Sequence, residues 1–150
     1  MGSSFSLRPH TAQRGIAARR LDSSLDAEGH RSLMADLSAG RVPLLYVAPE
    51  RFNNERFRAS MEDLDIALFA VDEAHCISEW GHNFRPDYLK LGGIARTIGA
   101  RRVLALTATA TDRVLLDIRK GFDIAEDDAI RTRFYRPNLT LRFTPTSALS

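Results

Sequence analysis

Three short, uninterrupted apolar runs constrain this chain most: residues 44–48 (LLYVA), 66–71 (IALFAV) and 103–107 (VLALT). None alternates apolar with polar, as a strand with one wet face does, and none is long enough to span a bilayer. Between them lie segments of helical period. Residues 26–39 carry Leu33, Met34 and Leu37 on one stripe, with Asp26 as N-cap and Gly40 as stop. Residues 53–63 carry Phe57 and Met61 four apart, and residues 88–98 end at Gly99. Residues 109–122 open on Thr109-Ala-Thr-Asp112, at capping-box spacing. Further strands are expected at 16–21, 130–134 and 139–143. Continuous apolar strands alternating with amphipathic helices predict the α/β class: a parallel sheet with helices on both faces.

Composition narrows function mainly by exclusion. With 21 basic and 19 acidic residues the net charge is +2, so bulk charge does not announce a nucleic-acid partner and local pattern must decide. The single cysteine, Cys76, excludes an internal disulfide framework and fits a reducing compartment. The first 20 residues hold Arg8, Arg14, Arg19 and Arg20 without an acid, a composition shared with organellar transit peptides; residues 1–14 read as a divergent, disordered N-terminus. The acids at 123 and 126–128 read as a solvated turn.

Ligands of open α/β sheets bind beyond the carboxyl ends of the strands, so the residues after each run matter most. Run 66–71 is followed at once by Asp72-Glu73-Ala74-His75. An acid in that position suits Mg²⁺ held through water while the ion bridges nucleotide phosphates; Asp72 is the candidate. Glu73 can polarise an attacking water as general base, and His75 can hydrogen-bond to a neighbouring strand end. A given tetrapeptide arises by chance in a chain of this length about once in a thousand. Cys76, His75 and His82 lack the paired spacing of a zinc site.

The tetrapeptide continues as Cys76-Ile-Ser-Glu-Trp80-Gly-His82-Asn-Phe84-Arg85-Pro86-Asp-Tyr88. Together these residues resemble the DEAH box and aromatic-rich loop of the RecQ family of DNA helicases. Pro49-Glu50-Arg51 after the first run resembles the family's PER-type motif, and Thr107-Ala-Thr109-Ala-Thr111 its motif III. Phe134-Tyr-Arg136-Pro137-Asn138 resembles the segment leading toward a second lobe, and the likeness spans residues 15–143. It implies an incomplete RecA-like P-loop NTPase/helicase lobe over 15–136, with 137–150 beginning the connection to a second lobe. It implies ATP and Mg²⁺ as cofactors. Asp72, Glu73 and His75 would serve hydrolysis. Trp80, His82, Phe84, Arg85, Pro49, Glu50, Arg51, Thr107 and Thr109 would contact DNA or couple it to hydrolysis. Aromatic faces suit unpaired bases, each stack being worth about 1–3 kcal/mol. The family usually carries Asp where this chain has Asn83, which puts a salt bridge of that loop in question.

None of the nine glycines precedes a lysine, so the chain holds no Gly-Lys-Ser/Thr phosphate loop. The resemblance therefore implies a missing N-terminal part and a missing second lobe. The chain reads either as a piece of a longer helicase or as a truncated copy, inactive in ATP hydrolysis by itself. The phosphate-loop strand is expected between the strand before Asp72 and the strand before Thr107, so a gap is expected there, with poor folding of the chain alone. The function implied is an ATP-dependent 3′–5′ DNA helicase acting on single-stranded or forked DNA, with no membrane partner. It would work in a bacterial cytosol, at the nucleoid, or in a nucleus or organelle if eukaryotic. Two other readings remain open: a non-enzymatic remnant lobe that binds nucleic acid or protein weakly, and an RNA helicase of the wider DEAD/DEAH class.

Overall fold

A computed structural model describes residues 15–21, 26–81 and 83–132. The order is β1 (Ala18–Leu21), α1 (Ala27–Ser38), β2 (Leu44–Val47), a 3₁₀ turn (Pro49–Asn53), α2 (Glu55–Glu62) and β3 (Phe69–Val71). Two further 3₁₀ turns follow (Ala74–Ile77 and Pro86–Lys90), then α3 (Leu91–Thr97), β4 (Val103–Ala105) and α4 (Asp112–Phe122). Among the described residues all strand pairing is parallel, in two pairs: β1 with β2 (Ala18 opposite Leu44) and β3 with β4 (Ala70 opposite Leu104). The chain is thus α/β, as the apolar runs predict. The proposed strand at 130–134 is irregular over its described residues, and Ile130 is almost fully exposed. The strand proposed at 139–143, the segment from Phe134 onward and residues 1–14 lie outside the described residues.

The two strand pairs share one core. Leu21, Phe52, Phe57, Val71, Ile77, Leu91, Val114, Ile118 and Phe122 are all buried in it. Phe52, from the turn after β2, packs its ring against Phe69 of β3 with centroids 5.8 Å apart. On β3–β4 the inner residues Phe69, Val71, Val103 and Ala105 pack on this core. Leu68, Ala70, Leu104 and Leu106, on the opposite face by alternation, are exposed.

The gap expected between the strand before Asp72 and the strand before Thr107 is not there. β3 and β4 hydrogen-bond directly, and the ladder is extended on both sides. The Phe69 amide donates to the Arg102 carbonyl, the Leu106 amide to Val71, and the Ala74 amide to Leu106, each at 2.8 Å. Strand order is a tertiary property that periodicity does not encode, and no further strand separates these two.

One local assignment holds and one shifts. The helix expected over 53–63 is α2, whose N-cap Asn54 accepts the Phe57 amide at 3.1 Å; a 3₁₀ turn led by Pro49 precedes it. The helix expected from 109 starts at 112: Thr111, not Thr109, is the N-cap and accepts the Val114 amide at 3.3 Å. Asp26 caps α1 as expected, accepting from the Gly29 amide at 2.8 Å.

α3 and α4 cross at a point only glycine fits. A Cβ on Gly92 would lie 1.9 Å from the Gly121 carbonyl oxygen, and one on Gly121 would lie 2.2 Å from Ile77 Cδ1. This contact seats α4 against the turn that follows Asp72 and Glu73.

Candidate functional site

The site is built at the carboxyl ends of β3 and β4. Val71 is buried, and the chain then turns sharply through Glu73, whose φ of 51° is left-handed. A side-chain-bearing residue in that region carries about 1–2 kcal/mol of backbone strain. The conformation is held from both sides. Asp72 Oδ1 accepts the Glu73 amide at 2.9 Å, and the next residue, Ala74, is wholly buried and bonded to Leu106. Asp72 is exposed and makes no other side-chain hydrogen bond among the described residues.

His75 sits between two partners. Its Nδ1 is 2.9 Å from Thr107 Oγ1 and 3.2 Å from Glu73 Oε2. Counting protons assigns the direction. The Thr107 hydroxyl donates to the Thr109 carbonyl at 3.0 Å, which uses its only hydrogen, so Nδ1–H of His75 is the donor. The Thr109 amide returns a bond to Thr107 Oγ1 at 3.3 Å. Glu73, His75, Thr107 and Thr109 are therefore one connected group, and Thr109 serves in it rather than as a cap. Two residues on, Thr111 begins α4.

The segment after His75 carries the aromatic residues. Trp80 is 70% exposed, while Phe84 is half-buried. The Arg113 guanidinium of α4 lies 5.5 Å from the Trp80 ring centroid, a cation–π contact. Trp80 also borders an open cleft of roughly 320 Å³ with Ile77, Leu89, Asp117, Lys120 and Gly121. Arg85 is exposed but engaged: it pairs with Glu50, and its guanidinium lies 5.5 Å from the Tyr88 ring centroid. The Pro49–Asn53 turn is thus fastened to the aromatic segment. Asn53 reinforces the join, donating to Asp87 at 2.9 Å and accepting from Lys90 at 3.0 Å. Arg51 is partly buried, and its Nε has no hydrogen-bond partner among the described residues. His82 lies outside the described residues. Asn83 is exposed, and the segment around it is anchored by Glu50–Arg85 and by a hydrogen bond from Ser78 to Asp117 at 2.6 Å.

Burial pushes the Cys76 thiol above its ordinary pKa, opposed by the nearby Arg85, and burial likewise raises the Tyr88 phenol. The Arg101 guanidinium, hydrogen-bonded to Asp65, holds that carboxyl below its ordinary range. No helix of the described residues is long and apolar enough to cross a membrane.

Sequence reasoning missed Ser78, Asp117, Arg113 and Asn53. The four-residue spacing of Arg113 and Asp117, beside the buried stripe of Val114 and Ile118, was the one local signal available.

Parallel strands joined through helices, with an acid directly after one strand and a histidine bonded to the end of the next, have the layout of a partial RecA-like helicase lobe. The comparisons agree. The family description "DEAD/DEAH box helicase" matches residues 11–118, and the chain belongs to that family. Within it the chain is RecQ-like. It is 38% identical over 125 residues to the probable ATP-dependent DNA helicase RecS of Bacillus subtilis, covering 83% of this chain and 25% of that protein. It is 38% identical over 129 residues to the ATP-dependent DNA helicase RecQ of the same species, covering 85% and 22%. To the RecQ-like DNA helicase blm-1 of Caenorhabditis elegans it is 36% identical over 145 residues, covering 91% and 15%. The chain spans a quarter or less of the length of these relatives.

Proposed function

We propose that this chain forms the strand-end and aromatic-loop part of an ATPase lobe in a RecQ-like helicase that moves 3′ to 5′ on single-stranded DNA and opens forked duplexes, in a bacterial cytosol or a eukaryotic nucleus or organelle. The donor set fits a nucleotide-bound magnesium ion. Asp72 offers one exposed carboxylate, and no group of three metal-ligating side chains gathers among the described residues. Mg²⁺ in such enzymes keeps one or two carboxylates and takes its remaining ligands from phosphate and water. Bound there with ATP, the ion would neutralise charge developing on the transferred phosphoryl group. Glu73, with its side chain 56% exposed and Oε2 beside His75 Nδ1, would use its other oxygen to orient an attacking water and accept its proton. No Gly-Lys-Ser/Thr phosphate cradle is among these 150 residues.

The observation that carries the reading is the connection from Glu73 through His75 and Thr107 to Thr109, with exposed Trp80 on the same short segment. It gives the water-activating end and the base-stacking end a shared support. The test uses labelled single-stranded DNA and RNA of one sequence, followed by fluorescence anisotropy at two salt concentrations. DNA is expected to be favoured. Replacing Trp80 and Phe84 together by Ala is expected to weaken DNA binding more than tenfold, since two stacks at about 1–3 kcal/mol each exceed 1.4 kcal/mol. Arg85→Ala is expected chiefly to flatten the salt dependence. Equal affinity for the two nucleic acids would favour the wider RNA-helicase class. Unchanged affinity in the double variant would leave a remnant lobe with no base-stacking role.

A further inference from the structure

We infer that Asp117 of α4, acting through the buried hydroxyl of Ser78, is the positioning residue that holds Trp80 ready to receive a nucleobase. The inference rests on the stacking role proposed above for Trp80.

Ser78 is 1% exposed and is the buried polar residue of the described core. Its hydroxyl is a junction. The oxygen donates its hydrogen to Asp117 Oδ2 at 2.6 Å and accepts the Trp80 amide at 3.2 Å. The direction is fixed, because an ionised carboxylate only accepts, so a lone pair of Ser78 is left for Trp80. At 2.6 Å this is a charge-assisted bond, of the strong class. The backbone tightens the same turn: the Ser78 amide donates to His75 and the Gly81 amide to Ser78. A Cβ on Gly81 would lie 2.8 Å from the His75 carbonyl oxygen, so the turn closes too tightly to admit a side chain at that residue.

α4 therefore grips Trp80 twice. Asp117 fixes its backbone through Ser78, and Arg113, one turn earlier, lies over its ring at 5.5 Å. Packing cannot substitute for these bonds, because the indole is 70% exposed. The grip is rigid because α4 is rooted in the core by Val114, Ile118 and Phe122. A loose indole would have to be ordered when a base arrives. Ordering one rotamer-rich side chain costs what amounts to about two- to twelvefold in affinity.

Trp80 is the chain's sole tryptophan, so its fluorescence reports this position alone. Without DNA, Asp117→Ala is expected to lower the steady-state anisotropy of Trp80 emission and raise its quenching by acrylamide. With labelled single-stranded DNA the same variant is expected to bind about two- to tenfold more weakly. Asp117→Asn, whose amide oxygen still accepts from Ser78, should stay within about twofold of the parent. Circular dichroism checks the fold of each. If Asp117→Ala does not fold, Ser78→Ala carries the test, since it removes the hydroxyl with little change of volume. Trp80 as immobile as in the parent, in a folded variant lacking either group, would overturn the inference. A parent chain whose Trp80 emission ignores DNA would instead sink the stacking role, while the DNA-free mobility comparison would still judge the anchor.

Discussion

Gly92 and Gly93 are neighbours in α3, and alanine should act on them with opposite signs. Helix propensity alone favours both substitutions, since glycine costs about 0.8–1 kcal/mol relative to alanine in a helix interior. At Gly93 nothing lies within 4 Å of an added Cβ, so Gly93→Ala is expected to stabilise by about 0.5–1 kcal/mol. At Gly92 the Cβ would sit 1.9 Å from the Gly121 carbonyl oxygen and 2.9 Å from its carbon. Ordinary contact needs about 3.5 Å, so α3 and α4 must separate by more than an ångström. On the other side of the crossing Ile77 Cδ1 fills the space where a Cβ on Gly121 would lie, so α4 has little free room to move into. Overpacking of a well-filled core costs about 1–3 kcal/mol, and here the opposing atoms are backbone, so the upper end applies. Subtracting the propensity gain leaves Gly92→Ala about 1–2 kcal/mol less stable than the parent. Urea unfolding followed by far-ultraviolet circular dichroism reads both variants. A Gly92→Ala midpoint at or above that of Gly93→Ala would refute the close crossing, and with it the seat of α4 beside the Asp72–Glu73 turn.

Thr107→Val removes the hydroxyl that binds His75 and both backbone groups of Thr109, and should cost about 1–2 kcal/mol, largely restored by Thr107→Ser; equal urea midpoints for the three proteins would argue against the network. Cys76 and Tyr88 have pKa values raised by burial, so their contribution to stability is complete below the ordinary values, about 8.5 and 10, and is lost as pH rises through the folded ones; the urea midpoint should therefore begin to fall near pH 8.5 and fall further above pH 10, and a midpoint flat through both would contradict their burial. The purified chain should hydrolyse ATP no faster than background, with or without DNA, because it lacks the phosphate-loop lysine; a DNA-stimulated turnover abolished by Glu73→Gln would overturn this.

What was legible in the sequence was whatever local chemistry decides. Asp26 caps α1 because its carboxylate reaches an amide three residues on, and Phe57 and Met61 are buried because four residues return a helix to the same face. Gly99 ends α3 at φ 66°, where glycine pays no Cβ penalty. The place of the Asp72–Glu73 turn was legible for a related reason: charged residues directly after a fully apolar run mark the end of a buried strand. What was not legible depends on residues far apart. Thr109 and Thr111 are equivalent as caps in sequence, and only the bonds to Thr107 divert the first of them. Ser78 and Asp117 are 39 residues apart, and neither carries a local mark of its partner. Prolines 49 and 86 begin 3₁₀ turns that run toward α2 and α3, and side-chain period over four or five residues does not separate these from α-helix.

The outer face of β3–β4 joins the sequence pattern to a solution property. Strands that read as continuous apolar runs belong to sheets covered on both faces. Here Leu68, Leu104 and Leu106 remain 51, 42 and 47% exposed, beside Ala70. Full burial of one leucine is worth about 1.5–3 kcal/mol, so three half-exposed leucines leave roughly 2–4 kcal/mol ungained. If two copies meet face to face, that sum doubles to about 4–8 kcal/mol, against an association cost of about 4–15 kcal/mol. The most favourable balance, about −4 kcal/mol, is a dissociation constant near 1 mM, so association is expected to be absent at micromolar concentration and to show only toward about a millimolar. Sedimentation velocity over a hundredfold concentration range reaching about a millimolar should show the weight-average coefficient rising with concentration. Leu104→Lys places a charge at the centre of the patch, where it should abolish the rise at a stability cost of about 0.5–1.5 kcal/mol, the part of the leucine's burial already realised there. The expectation of poor folding rested on a gap between β3 and β4 that the direct ladder closes, so a cooperative melt of the Leu104→Lys monomer is expected as well. A parent chain that stays monomeric throughout the range would show that this apolar face is not sticky. A non-cooperative melt of the monomeric variant would show that the direct β3–β4 ladder alone does not hold the sheet together.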